Sequence, residues 1–242
     1  MNSTFLTRMA LVLLACSGLA SSLSAQTPSV SEKPDQKVVA LLVEAQSLQG
    51  RKRYVDALAK LDEAEALAPS RPEVFNIRGA IYLAAPVRDL DKARQQFTKA
   101  ASIKPDDMPP YFNLAEVEFI AGDWPACEQA FAGVLTKFPK LPTPLRHVVL
   151  FKVLLAQVKQ NKFAEAEKLL SDNFTFMDDT PAFYFSKAVI AFQKKEEKSA
   201  NEWLTKGQFI FKGEASSAYV DSLMESHYID SLTVGKPEEE AK

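Results

Sequence analysis

Histidines, cysteines and paired carboxylates are the side chains that carry acid–base, nucleophilic or metal chemistry, and in this chain they stand apart from one another. His147 and His227 lie about 80 positions apart, each alone on a stretch of helical pattern. An isolated imidazole in that setting is a surface or half-buried side chain, not a catalyst. No cysteine or histidine pair has zinc-ligand spacing. With only 8 glycines, no glycine-rich phosphate loop occurs. Glu63, Glu65, Asp106, Asp107, Asp178 and Asp179 fit helix ends and solvated faces, and Asn173-Phe174-Thr175 is a glycosylation triplet short enough to arise by chance. The expectation is a protein with no catalytic residue, no metal site and no cofactor.

Binding is then the function to look for, and charge narrows it. A net charge of −2 and a pI near 5.8 give no electrostatic footprint for nucleic acid. The 16 phenylalanines and 47% apolar content are ample for a core and for an apolar docking face. Few glycines and 14 prolines fit helices punctuated from outside.

Residues 1–25 have the layout of a secretory signal: Arg8, an apolar run from Met9 to Ala20, then small residues. That run is too short to span a bilayer, which takes about 20 residues. Two processing routes compete. A signal peptidase could cut after Ala25, with Leu23 bulky for the third position back. Alternatively Leu13-Leu14-Ala15-Cys16 is similar to a bacterial lipobox, with Cys16 lipidated and the chain tethered to a membrane. Both routes place the domain outside the cytoplasm, in the periplasm or beyond, and Cys16 is the one route to a membrane. If Cys16 leaves with the signal, Cys127 has no partner for a disulfide and reads as a small buried residue.

The elements that must position any binding face follow from a repeated cadence. Small residues recur at Ala57, Ala93, Cys127, Ala166 and Ala200, with spacings of 36, 34, 39 and 34. Four residues after each comes a large apolar one: Leu61, Phe97, Phe131, Leu170 and Leu204. Ala64, Ala100 and Val134 sit seven after the first three, and Pro69, Pro105 and Pro139 sit twelve after them. Offsets of four and seven define one helical face, and the proline follows its end. Ahead of each lies a matching half: Ala45 and Tyr54, Gly79 and Tyr82, and Asn113-Leu114-Ala115 before Gly122-Asp123-Trp124.

This pattern resembles the tetratricopeptide repeat (TPR), a helix–turn–helix unit. The resemblance runs from about residue 37 to 213 and implies an all-α fold. That fold is an α-solenoid of about five repeats, at about 37–71, 72–107, 108–141, 144–176 and 180–213. A linker at 26–36 precedes them; a capping helix at 216–232 and a disordered acidic tail at 233–242 follow. Small residues should let paired helices cross closely, Ala45 on Ala57, Gly79 on Ala93 and Ala115 on Cys127. Residues Ala84–Asp89 should bulge as a longer turn, and Asp172–Pro181 is the expected bend.

In the TPR family the first helices line a concave groove. Carried over by position, that groove takes Asn76 in the second repeat and Phe112, Asn113, Glu116 and Phe119 in the third. The fourth and fifth supply Phe151, Lys152, Phe185, Val189 and Phe192, while Val39, Leu42, Val43 and Gln46 open the first. Too few cations fall there for a carboxylate clamp. Five phenylalanines left open would be a costly apolar patch. A partner protein's segment, the chain's own linker or C-terminal helix could cover them, or they are core in a shifted register. The resemblance implies an exported protein-interaction scaffold, similar to assembly factors of bacterial outer-membrane or pilus machinery. A module binding cell-wall glycan or a small ligand through Trp124 and Trp203 is the alternative, against which both tryptophans fit packing positions.

Overall fold

The computed structural model describes residues 32–230. The signal segment with Cys16, linker residues 26–31 and the tail 233–242 lie outside the described residues. Within them there is no strand. Eleven helices follow in order: α1 Glu32–Gly50, α2 Tyr54–Leu67, α3 Pro72–Leu83, α4 Leu90–Ile103, α5 Met108–Ala121 and α6 Trp124–Lys137, then α7 Thr143–Lys159, α8 Phe163–Asn173, α9 Ala182–Gln193, α10 Glu197–Ile210 and α11 Glu214–Glu225. The chain divides after Val117, within α5, into two compact units.

One backbone turn explains how four of these helices, α1, α5, α7 and α9, stop and reverse. Lys52, Gly122, Asn161 and Lys195 all have φ between 61° and 72°, two residues before α2, α6, α8 and α10 begin. In each, the following N–H reaches five residues back: Arg53 to Leu48, Asp123 to Glu118, Lys162 to Gln157 and Glu196 to Ala191, at 2.9–3.1 Å. Those bonds satisfy carbonyls the ending helix leaves open, the Schellman arrangement. Glycine occupies this left-handed position without strain, asparagine tolerates it, and lysine pays for it in steric energy.

The second hairpin departs as expected. A 3-10 turn at Ala85–Val87 separates α3 from α4, and Asp89 caps α4 by accepting from the Lys92 N–H at 3.0 Å. Asp123 caps α6 likewise, accepting from the Ala126 N–H at 3.1 Å.

In the first unit α1 packs on α2 and α3, and α3 on α4. Ala45, Ala57, Leu61 and Ala64 share one fully sealed cluster. At Gly79 the nearest side chain is that of Phe97, while Ala93 is fully buried in the same cluster as that ring. An added Cβ would lie 2.6–2.8 Å from three ring carbons of Phe97, so the contact that demands glycine is with the large residue four places after Ala93. Charged groups hold the outside of this unit together. Arg78, largely buried, donates to Glu65 at 2.6 Å and Asp62 at 2.8 Å, and Lys99 reaches Glu65 at 3.1 Å. Burial pushes the Glu65 carboxyl up, but hydrogen bonds from Arg78 and Lys99 overcome this and hold it below the usual carboxylate range.

In the second unit α7 packs on α6, α8 and α9, and α9 on α10. Cys127, Phe131, Leu154 and Ala166 are fully buried, so Leu154 is accommodated where earlier repeats carry a small residue. Glu128 on α6 accepts from Gln157, Gln160 and Lys162 at 2.7–3.0 Å. The sequence-based pairing gives no role to Gly207. A Cβ there would lie 2.9 Å from the Tyr184 Cβ and 3.1 Å from the Phe185 ring, so α9 and α10 cross at a glycine seven places after Ala200.

Two boundaries move. Helix α1 starts at Glu32, inside the expected linker, because Pro34 falls in its first turn, where its missing N–H costs nothing. The expected 216–232 helix is Glu214–Glu225. It ends early because His227 (φ 59°) adopts the same left-handed turn and Tyr228 N–H closes on the Leu223 carbonyl at 2.9 Å.

Candidate interaction surface

The inner-face residues of the first unit split into a buried set on α1, α3 and α5 and an open pair on α1. Asn76 on α3 and Asn113 on α5 are buried, and the Asn113 side-chain amide donates to the Asn76 carbonyl at 2.9 Å. Each amide thereby satisfies a polar group that would otherwise be stranded. Phe112 and Glu116 are buried as well. On α1, Leu42 joins the core, whereas Val39 and Val43 are 43% and 60% exposed. One turn apart, they form a small apolar step on the helix surface.

In the second unit the inner face is closed. Phe119, Phe151, Lys152, Phe185 and Val189 are each 2% exposed or less. The Lys152 ammonium sits 3.7 Å from the Phe119 ring centroid, a cation–π contact that gains strength when desolvated. What covers the rest is α11, which packs against α7 and α9. Its Tyr219 ring seats between Phe151 and Phe185, with centroids 5.0 and 5.4 Å away. Phe192 is half-buried and stacks on Tyr228 at 5.8 Å. The Tyr228 hydroxyl donates to Gln193 at 2.9 Å, and the Lys159 ammonium donates to the Ser226 carbonyl at 2.7 Å while lying 3.9 Å from the Tyr228 ring. Burial lowers the Lys159 pKa and raises those of Tyr219 and Tyr228, as expected when charge is removed from water.

The phenylalanines of the second unit are thus not an open patch: Phe119, Phe151 and Phe185 are buried, and the Phe185 ring also lies against Gly207 of α10. They remain on the first helices of their repeats, and the chain's own C-terminal helix lies over α7 and α9. Both halves of this contact are in the sequence, the rings on α7 and α9 and the stripe Tyr219, Leu223 on α11. The direction in which the last helix turns is set at Gly213 (φ 67°, ψ −127°), a conformation glycine reaches and other residues rarely do. Lys159 and Ser226, which clasp α11, give no pattern that a linear reading could find.

The remaining candidates are structural. His147 is buried, hydrogen-bonded to Thr180 at 2.7 Å and edge-on to Phe174 at 5.2 Å. It ties α7 to the 174–181 segment, whose tip exposes Phe176 and Met177. Burial lowers its pKa, with Asp178 opposing and Arg146 assisting. His227 is exposed, and Cys127 is sealed inside α6's packing face. Trp124 meets Phe119 edge-on at 5.6 Å, and Trp203 meets Phe183 likewise at 5.9 Å. Both indoles are engaged in packing. Among the described residues no group of three or more His, Cys, Asp or Glu is placed to hold a metal ion, and no helix is long and apolar enough to cross a membrane.

With this geometry established, the family comparison is direct: the tetratricopeptide repeat model matches residues 42–107. Residues 42–107 are tetratricopeptide repeats. The TPR hairpins of solved structures superpose on most of the chain. YrrB, described as a TPR protein with an unusual peptide-binding site, gives a TM-score of 0.51 at 14% identity, over 80% of this chain and 96% of that one. A TPR protein from Parabacteroides merdae ATCC 43184 gives 0.56 at 14% identity, over 93% and 84%. The APC/C hetero-tetramer Cut9–Hcn1 gives 0.52 at 16% identity, over 82% of this chain and 43% of that one. At such identities the likeness is one of fold. No curated protein sequence matches the chain.

Proposed function

We propose that the chain is an exported interaction scaffold that holds a segment of a partner protein on the first helices of its TPR hairpins, without chemistry on that partner. The observation that carries this reading is the seating of α11 on α7 and α9, because a surface that accommodates one helix with its aromatic anchors is shaped for helices. The likeness in fold to YrrB, described as having a peptide-binding site, supports it. In the first unit the residues offered are Asn76, Phe112, Asn113 and Glu116, with exposed Val39 and Val43 on α1. In the second they are Phe119, Phe151, Lys152, Phe185, Val189 and Phe192. Export rests on the signal-like residues 1–25, with release after Ala25 or lipidation of Cys16 as its two forms. The intact mass of the mature chain separates these.

Crosslinking in the native cell envelope, followed by identification of the captured protein, tests the role. A defined partner that is lost on Val43→Asp, an exposed change that leaves the fold intact, is the expected result. Capture of none, or of one indifferent to every inner-face substitution, would contradict it.

A further inference from the structure

The contact between α11 and the α7–α9 face is built unevenly. Tyr219, Val220 and Leu223 are at most 3% exposed and supply the apolar part. The same segment also buries Ser216 and Ser222 on the helix and Ser226 just past its end. Their hydroxyls donate to backbone carbonyls of α11 and its flank, namely Phe211, Ala218 and Ser222, at 2.5–2.6 Å. These hydroxyls are thus taken up by their own segment's backbone, while the Ser226 carbonyl accepts from Lys159 on α7. On α9, the Ser186 hydroxyl is buried with no hydrogen-bond partner among the described residues. The buried Tyr219 hydroxyl leans toward Thr180 without completing a hydrogen bond. Buried hydroxyls without partners weaken an interface. The joint to α10 runs through exposed Gly213. A moderate ligand on a glycine joint is one that can leave.

We infer that α11 is an exchangeable occupant of the α7–α9 face, and that the partner this face fits is an amphipathic helix carrying an aromatic residue, an aliphatic one beside it and another four residues on. The pattern is that of Tyr219, Val220 and Leu223. A partner with alanine or leucine in place of the buried serines gains apolar contact that α11 lacks. The partner's aromatic takes the place between Phe151 and Phe185, and Lys159 caps its C-terminal carbonyls as it now caps Ser226. While α11 is in place, the face is closed, and apparent affinity falls by the fraction of time it stays so. The inference rests on the scaffold reading, but a fixed α11 would end it while leaving partner capture through other surfaces untouched.

The test uses the full chain and a fluorescent synthetic peptide of residues 214–230. Leu223→Glu should release α11 and leave the α7–α9 face unaltered. By anisotropy, this variant should bind the peptide about tenfold or more tightly than the unaltered chain. A peptide with leucine for Ser222 should bind more tightly again. A folded variant that binds no better than the unaltered chain overturns the inference. Should Leu223→Glu fail to fold, hydrogen exchange on the unaltered chain decides. Amides of α11 exchanging about tenfold or more faster than those of α7 and α9 uphold it; exchange in step with them overturns it.

Discussion

By repeat position, Val43 on α1 and Ser186 on α9 belong to the same inner face, yet the apolar one is 60% exposed and the polar one is fully buried. The inversion shows that repeat position alone does not set burial: α9 is packed by α7, α8, α10 and α11, whereas the Val43 face of α1 is left open. In the first unit a sealed alanine cluster, one glycine under the Phe97 ring and the Arg78–Asp62–Glu65 contacts hold the hairpins, and the inner side of α1 stays open. In the second, the Tyr219 ring packs at a tilt between Phe151 and Phe185, and the inner side is taken.

The largest effect expected from breaking this contrast is at Phe185. Phe185→Ala removes a fully buried ring that meets both α10 and α11, and should cost about 3–5 kcal/mol. Trp124 and Trp203 both lie in the second unit, so tryptophan fluorescence during urea denaturation reads the loss there. A cost below about 1 kcal/mol would mean the ring stack is not what holds α11. In the first unit, Gly79→Ala forces a methyl group against the fully buried Phe97 ring. Overpacking of this kind costs about 1–3 kcal/mol, measurable as a lower urea midpoint by circular dichroism; an unchanged midpoint would show that α3 and α4 can separate freely.

Acid should act on the second unit through His147. Its folded pKa lies below its unfolded value near 6.5 because burial disfavours the imidazolium. The unfolded chain then binds more protons in acid. The contribution of neutral His147 is intact above about pH 6.5 and is lost as pH falls toward the folded value. Thermal melts between pH 7.5 and 5 should show this loss, and His147→Gln should reduce its slope. The smallest effect expected is at the turns. Lys52→Gly and Lys195→Gly each relieve a left-handed non-glycine residue and should stabilise by about 0.5–1 kcal/mol, whereas Gly122→Ala should destabilise.

Much of the fold is legible in the sequence because it is local. Small residues at Ala57, Ala93 and Cys127 and the prolines after them record a helix face and its end, and the structure seals all three small side chains. The longer turn at Ala84–Asp89 follows from surplus residues between two helical patterns. Two tight glycine contacts escape, since Gly79 meets the Phe97 ring and Gly207 meets α9 through three-dimensional packing that spacing does not encode. The same holds for the site. Repeat position puts Phe151, Phe185 and Val189 on the inner helices, but the α11 contact depends on Gly213 and on Lys159 meeting Ser226, residues far apart in the chain. The lone His147 reads as a non-catalytic side chain, and its bond to Thr180 appears only when the 174–181 segment folds back.

Seating of α11 on α7 and α9 is the claim on which the rest depends, and ring-to-ring nuclear Overhauser effects in the full chain measure it directly. Cross-peaks from the Tyr219 ring to both Phe151 and Phe185 are the predicted result. A Tyr219 ring with no such contacts, or with contacts to α10 alone, would contradict it.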